Sequence, residues 1–195
     1  MKSRILVLGM LCLLDGFVVG QAPGVNQNSA ILADFSHRID EYVKLRKQAD
    51  AGVPVLKQTN SPDEIAERER LVAKRVSKAR GDAKQGDIFT TQIAGIFRQL
   101  IGSSFGANDG KQIHQSLRSA EPVKGVKIGV NQPYPEAMPL QSMPPTLLQN
   151  LPELPKDLDY RIIDHDLILR DVQANLVIDI IPNAIPSSIG TNAHP

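Results

Sequence analysis

Apolar residues recur at intervals of three and four from residue 28 to residue 120. From residue 121 to residue 182 they alternate or cluster between prolines. The first part therefore reads as helical and the second as strands joined by extended chain. Leu32, Phe35, Ile39, Tyr42 and Arg46 make one stripe on a helix from Ser29 to about Asp50, stopped by Ala51-Gly52-Val53-Pro54. Ser61-Pro62-Asp63-Glu64 opens a second helix. Ser61 can accept from the amide of Glu64, and Pro62 suits a first turn whose amides have no partner inside the helix. Ile65, Val72, Val76, Ala79 and Ala83 form its apolar stripe, and the two helices are predicted to pair as an antiparallel hairpin. Ile93, Ile96, Phe97, Leu100 and Ile101 predict a third helix from Thr90 or Thr91, the most buried of the set, broken by Gly102 to Gly106. A fourth, shorter helix is expected from about Gly110 to Ser119, with Ile113 and Leu117 facing inward.

The second region opens with "VKIGVN", in which Val126, Ile128 and Val130 alternate with Lys127 and Gly129 as a half-buried strand would. Seven of the 14 prolines fall between Pro133 and Pro155. Each lacks an amide donor and fixes φ, so this stretch reads as an extended connection with at most a short helix near Thr146 to Asn150. Leu140, Met143, Leu147, Leu148 and Leu151 are interleaved with the prolines and require burial. "YRII" and "LILR" flank Asp164-His165-Asp166 as the arms of a hairpin, and "ANLVIDII" supplies a third sheet element. The tail, residues 183 to 195, is expected to be mobile. The fold class that follows is α+β: a helical hairpin and two further helices packed on a small antiparallel sheet made by the C-terminal third.

Ahead of residue 28 the chain reads as a signal peptide over residues 1 to 22. Lys2 and Arg4 precede the apolar run Ile5 to Leu14, which is too short to span a bilayer, and small residues follow at Gly20 and Ala22. This reading places the protein in the periplasm or outside the cell, not spanning the membrane after cleavage. Cys12, the only cysteine, lies in the leader, so the mature chain has no disulfide, thiol nucleophile or thiolate ligand. Removing Lys2 and Arg4 from 22 basic residues, and Asp15 from 21 acidic ones, leaves 20 of each. A balanced chain without tryptophan argues against nucleic acid as a partner, since that affinity rests on a basic surface and stacking aromatics.

Three stretches could carry chemistry. Asp34, His37 and Glu41 share a helical face at spacings of three and four, a geometry able to hold a divalent metal with a further ligand such as His165; a solvated face explains them equally. Arg68, Lys74, Arg75 and Lys78 lie in a basic run against the single acid Glu69. They could face an envelope protein or an anionic surface, or simply form the solvent side of a helix whose dipole favours cations near its C-terminal end. The third stretch is "SKARGDAKQGDIFT", residues 77 to 90. Its two glycines and two aspartates raise the prospect of an anion- or metal-binding loop. A phosphate loop, however, follows a strand at fixed glycine spacing, whereas a helix precedes this one. It reads as a corner: the second helix frays over Gly81 to Lys84, Gly86 turns left-handed, Ile88 and Phe89 enter the core, and Thr90 caps the third helix. Convergence of Asp82 and Asp87 with His37 would instead mark a ligand site. Pro152-Glu153-Leu154-Pro155 matches a polyproline ligand pattern, although prolines leading into a strand account for it. Motifs of metalloproteases, serine hydrolases, nucleotide-binding loops and dinucleotide folds are missing.

"FSHRIDEYVKLRK", "ARGDAKQGDIFT" and "YRIIDHDLILRDVQANLVIDIIP" resemble a family of exported bacterial proteins without assigned function, over roughly Phe35 to Ile185. The resemblance implies export and brings no catalytic residues. The segment "LPKDLDYRIIDHDLILRDVQANLVIDII" is also similar to the C-terminal hairpin of small periplasmic nickel- and cobalt-homeostasis proteins. Those carry "YRWV-x-x-G-x-D", whereas this chain has Asp164-His165-Asp166 and neither that tryptophan nor that glycine. The expected function is that of an exported, non-enzymatic binding or envelope-accessory protein without a cofactor. The alternatives are a metal-responsive periplasmic protein and a hydrolase with an unrecognised site.

Overall fold

A computed structural model describes residues 26–55, 59–106, 113, 128–135 and 143–186. The predicted leader lies outside these residues, as does the predicted fourth helix except Ile113, which is helical and buried. The described elements are α1 (Gln27–Asp50), α2 (Pro62–Ala79), α3 (Thr91–Gly106), a single helical turn α4 (Pro145–Leu148), and strands β1 (Leu158–Ile163), β2 (Asp166–Asp171) and β3 (Leu176–Ile181). The strands form one antiparallel sheet in the order β1-β2-β3. The architecture is α+β, as the patterning predicts.

The predicted stripe on α1 is the face that packs: Phe35, Ile39, Tyr42 and Arg46 are buried and Leu32 is half-buried. Ser61 caps α2, its hydroxyl accepting from the Glu64 amide at 3.5 Å. α1 and α2 run in opposite directions. Arg68 pairs with Asp50 at the end of α1, and Arg80, just past α2, stacks over Tyr42 one-third of the way back along it. The stripe on α2 is narrower than predicted, because Val72 and Val76 are buried but Ile65 is 41% exposed. The helix stops at Ala79 without the expected fraying through Lys84, and the Arg80 amide closes it on the Val76 carbonyl.

α3 does not break at Gly102. It continues to Gly106 because Phe97, Ile101 and Phe105 lie four residues apart and are all buried, so core contact outweighs the glycine penalty. The Ser103 and Ser104 hydroxyls donate to the Leu100 carbonyl instead of opening the helix. Phe97 is the hub of an aromatic cluster that ties four regions together. Its ring centroid lies 5.0 Å from Phe35 of α1, 5.1 Å from Phe89 and 5.9 Å from Tyr160 of β1, each in an edge-on arrangement.

Along the sheet, Leu158, Tyr160, Ile162, Leu167, Leu169 and Leu176 face the helices. Ile163, Ile168, Val177 and Ile180 face away, against Tyr134, Ile128 and Val130. The predicted strand at Ile128 and Val130 is not formed among the described residues. Asn131 adopts φ 64° and the Gln132 amide turns back to the Gly129 carbonyl, so the chain folds over before it can extend. The pairing occurs one step later: the Asn131 amide donates to the Val177 carbonyl of β3, the Tyr134 amide to the carbonyl of Asn175 just ahead of β3, and the Val177 amide donates to the Gln132 carbonyl. This segment covers the outer edge of β3. The hairpin turn is tighter than predicted, two residues, Asp164 and His165, with Asp164 at φ 54°. The tail expected to be mobile is docked at its start. Ala184 and Ile185 are buried, and the Ile185 amide donates to the His165 carbonyl.

Candidate functional site

Register in the sheet decides what the helices meet. Between the pairs Arg170–Val177 and Leu169–Asp179, β3 carries one extra residue, Ile178. Such a bulge re-aims the side chains that follow it. Leu169 faces the helices, so its partner Asp179 does too, and a carboxylate enters the core with no exposed surface. The corner from Arg80 to Thr90 closes over it. Asp179 Oδ1 accepts from the Gly86 amide at 2.9 Å, and Oδ2 accepts from the Ile88 and Phe89 amides at 2.8 and 2.7 Å. Gly86 reaches this geometry at φ 92°, where a side chain would be strained. Asp87 ties the turn by accepting from the Lys84 amide. The corner is thus an anion cradle of converging backbone amides, and the anion it holds is the chain's own. Ile88 and Phe89 are buried, as predicted, and Thr90 accepts from the Ile93 amide at 3.4 Å to start α3.

A second buried carboxylate joins α1 to the sheet. Asp171 accepts from the Tyr42 hydroxyl at 2.7 Å and from the Gln173 and Ala174 amides at 2.9 Å, with Arg46 Nε 3.6 Å away. Burial raises the Asp171 carboxyl above its ordinary range, opposed by those hydrogen bonds and by Arg46. Burial, with the Asp171 charge added, pushes the Tyr42 phenol up as well. The two terminal nitrogens of Arg46 donate to Gln173 and Asp157 at 2.7 Å each, while its buried Nε has no hydrogen-bond partner among the described residues. On the outer face Asp159 accepts from Arg170 and Arg161, and Arg170 stacks on Tyr134 with 5.0 Å to the ring centroid.

The corner and α1 are the two walls of a cleft of about 790 Å³. Its charged lining divides into paired and unpaired groups. Asp34 is bridged to Arg38 at 2.9 Å, and Arg38 also donates to the Asp87 carbonyl. Glu41 is bridged to Lys44 at 2.7 Å, a hydrogen bond that lowers the Glu41 carboxyl and raises the Lys44 ammonium. Arg80 forms no ion pair among the described residues. Its guanidinium lies 5.3 Å from the Tyr42 ring centroid, one terminal nitrogen donates to the Ile178 carbonyl at 3.1 Å, and the other is buried without a hydrogen-bond partner among the described residues. Burial lowers the Arg80 pKa, partly offset by Tyr42, Asp179 and Asp87. Asp82, two residues on, is exposed and forms no ion pair with a described residue. Leu45, Ala79, Ala83 and Ile88 supply the apolar part of the lining.

The structure thus places Asp34, His37 and Glu41 on one wall of the cleft and Asp82 and Asp87 on the other, which is shared lining and not the convergence with His37 that a ligand site required. No group of three or more His, Cys, Asp or Glu among the described residues is arranged to hold a metal ion. Asp34 and Glu41 are engaged by cations of their own helix. His165 sits in the β1–β2 turn, outside the cleft lining. In the basic run, Arg68 is bound to Asp50, and Arg75 donates to the Ala49 carbonyl at 2.9 Å, serving the open end of α1. Lys74 and Lys78 remain exposed. Arg80, the cation most relevant to the cleft, is in the sequence one more cation at the end of that run. The signal that could have distinguished it is its position just past the last helical residue, beside Gly81. No family model matches the chain, and neither a curated protein nor a solved structure matches it.

Proposed function

We propose that the protein is an exported, non-enzymatic binding protein of the cell envelope and that the cleft between α1 and the Arg80–Thr90 corner is its binding site. The observation that carries this reading is how the ionisable groups are distributed. Those withdrawn from water, Asp171, Asp179, Tyr42 and Arg46, are each engaged in holding elements together. The cleft instead joins charged and apolar side chains on two supported walls, which suits recognition. Export is supported by Lys2 and Arg4 ahead of the apolar run Ile5 to Leu14. Ala79 lines the cleft and is exposed, so Ala79→Trp should obstruct the cleft without disturbing the core. A low-molecular-weight extract of the producing cells is expected to raise the thermal midpoint of the wild type and not that of Ala79→Trp. An equal response from both proteins, or none from either, contradicts the reading. Mass spectrometry of the secreted chain checks export independently, by whether residues near 1–22 have been removed.

A further inference from the structure

Resting on the reading of the cleft as a binding site, the lining also narrows the class of ligand. The two cations of the α1 wall are neutralised within their own helix, Arg38 by Asp34 and Lys44 by Glu41. What remains on the corner is one cation, Arg80, and two carboxylates without an ion pair among the described residues, Asp87 and the exposed Asp82. Arg80 is the most telling of these. One of its terminal nitrogens is buried without a hydrogen-bond partner among the described residues, a costly arrangement, and the stacking on Tyr42 and the single carbonyl contact satisfy the guanidinium only in part.

A purely anionic ligand would meet Arg80 but also the carboxylates of Asp82 and Asp87. A purely cationic one would meet Asp82 but also Arg80. A molecule bearing a cationic and an anionic group on one carbon answers both kinds of group at once. The apolar strip of Leu45, Ala79, Ala83 and Ile88 lies in the same lining and offers a place for a hydrocarbon side chain. We propose that the cleft binds a free α-amino acid with an apolar side chain, its carboxylate taken by Arg80 and its ammonium by Asp82. The cradle around Asp179 matters here because it fixes the corner on which both groups stand, so little ordering is left to accompany binding.

The test uses L-leucine as probe and two analogues that each lack one charged group, 4-methylpentanoate without the amine and isopentylamine without the carboxylate. In titrations of the full exported chain followed by NMR, L-leucine is expected to shift the Arg80 side-chain Nε–H signal saturably. Each analogue is expected to bind at least about tenfold more weakly. Asp82→Asn, at an exposed position, should retain the wild-type melting midpoint while reducing L-leucine affinity to about the level of 4-methylpentanoate. Arg80→Lys, which keeps the charge but loses the planar donor fork, should weaken leucine and 4-methylpentanoate together. Equal binding of leucine and either analogue overturns the zwitterion assignment, as does the absence of saturation by leucine. If leucine fails while the cell extract still stabilises the wild type and not Ala79→Trp, only the ligand class is lost. If the extract fails too, the cleft reading fails with it.

Discussion

Two aspartates enter the helix-facing core from neighbouring places in the sheet, and they are satisfied in different ways. Asp179 is met by backbone amides of the Gly86–Phe89 turn. Asp171 is met by side chains of α1, Tyr42 and Arg46, and by the turn that follows β2. The first arrangement fixes the path of a loop, since amides cannot reach the carboxylate unless the backbone takes one route. The second fixes which face of a helix lies on the sheet and leaves the helix backbone alone. A loop that looks built to receive an anion can therefore already be filled from within, and the available surface is then on its other side.

Substitutions at the two sites should separate these roles. The largest effect is expected from Asp179→Ala, which leaves the buried Ile88 and Phe89 amides and the Gly86 amide without an acceptor. A loss of about 4 kcal/mol in urea denaturation is expected, from about 1–3 kcal/mol for each orphaned group with some relaxation. Tyr42→Phe removes one hydrogen bond to a buried carboxylate and keeps the ring under Arg80. It should cost about 2 kcal/mol and leave the corner intact. The reverse ranking would show that α1 docking, not the corner, dominates.

Asp171 gives the comparison a pH signature. Its carboxyl is raised from the ordinary 3.8 by burial, so the folded chain holds this proton more tightly than the unfolded chain does. The stability it contributes is therefore fully present below 3.8 and is lost as pH rises through the higher folded value. In Asp171→Asn that dependence disappears. The stability of the wild type relative to this variant should fall as pH rises above 3.8, and a difference that rises with pH would contradict the assignment. The smallest effect is expected at the exposed lysines of α2. Lys74→Glu with Lys78→Glu should change stability by less than about 0.5 kcal/mol and leave leucine binding unaltered, because neither side chain lines the cleft with Arg80.

The helices were legible because their signals are local. The α1 stripe through Arg46, the Ser61 cap and the start of α3 each depend on residues within a turn of one another. The hairpin and the third strand were legible for the same reason. The continuation of α3 past Gly102 was not, since it depends on Phe105 finding a core that other segments build. The cradle was half legible. Gly86 and the buried Ile88-Phe89 pair could be read from the corner itself, but its anion lies 90 residues away and faces inward only because of the bulge at Ile178. Arg80 escaped notice for a related reason. In the sequence it is one cation in a basic run, and only folding places it over Tyr42 while Arg68 and Arg75 are consumed at the end of α1.

Amide hydrogen exchange at Ile88 and Phe89 tests most directly the claim that the corner is a fixed wall filled by Asp179. In the wild type both amides are expected to exchange only through global unfolding, and in Asp179→Ala they should exchange faster by at least about two orders of magnitude relative to core amides of α3 such as Phe97. Exchange of Ile88 and Phe89 in the wild type at the rate of an open loop would contradict the account.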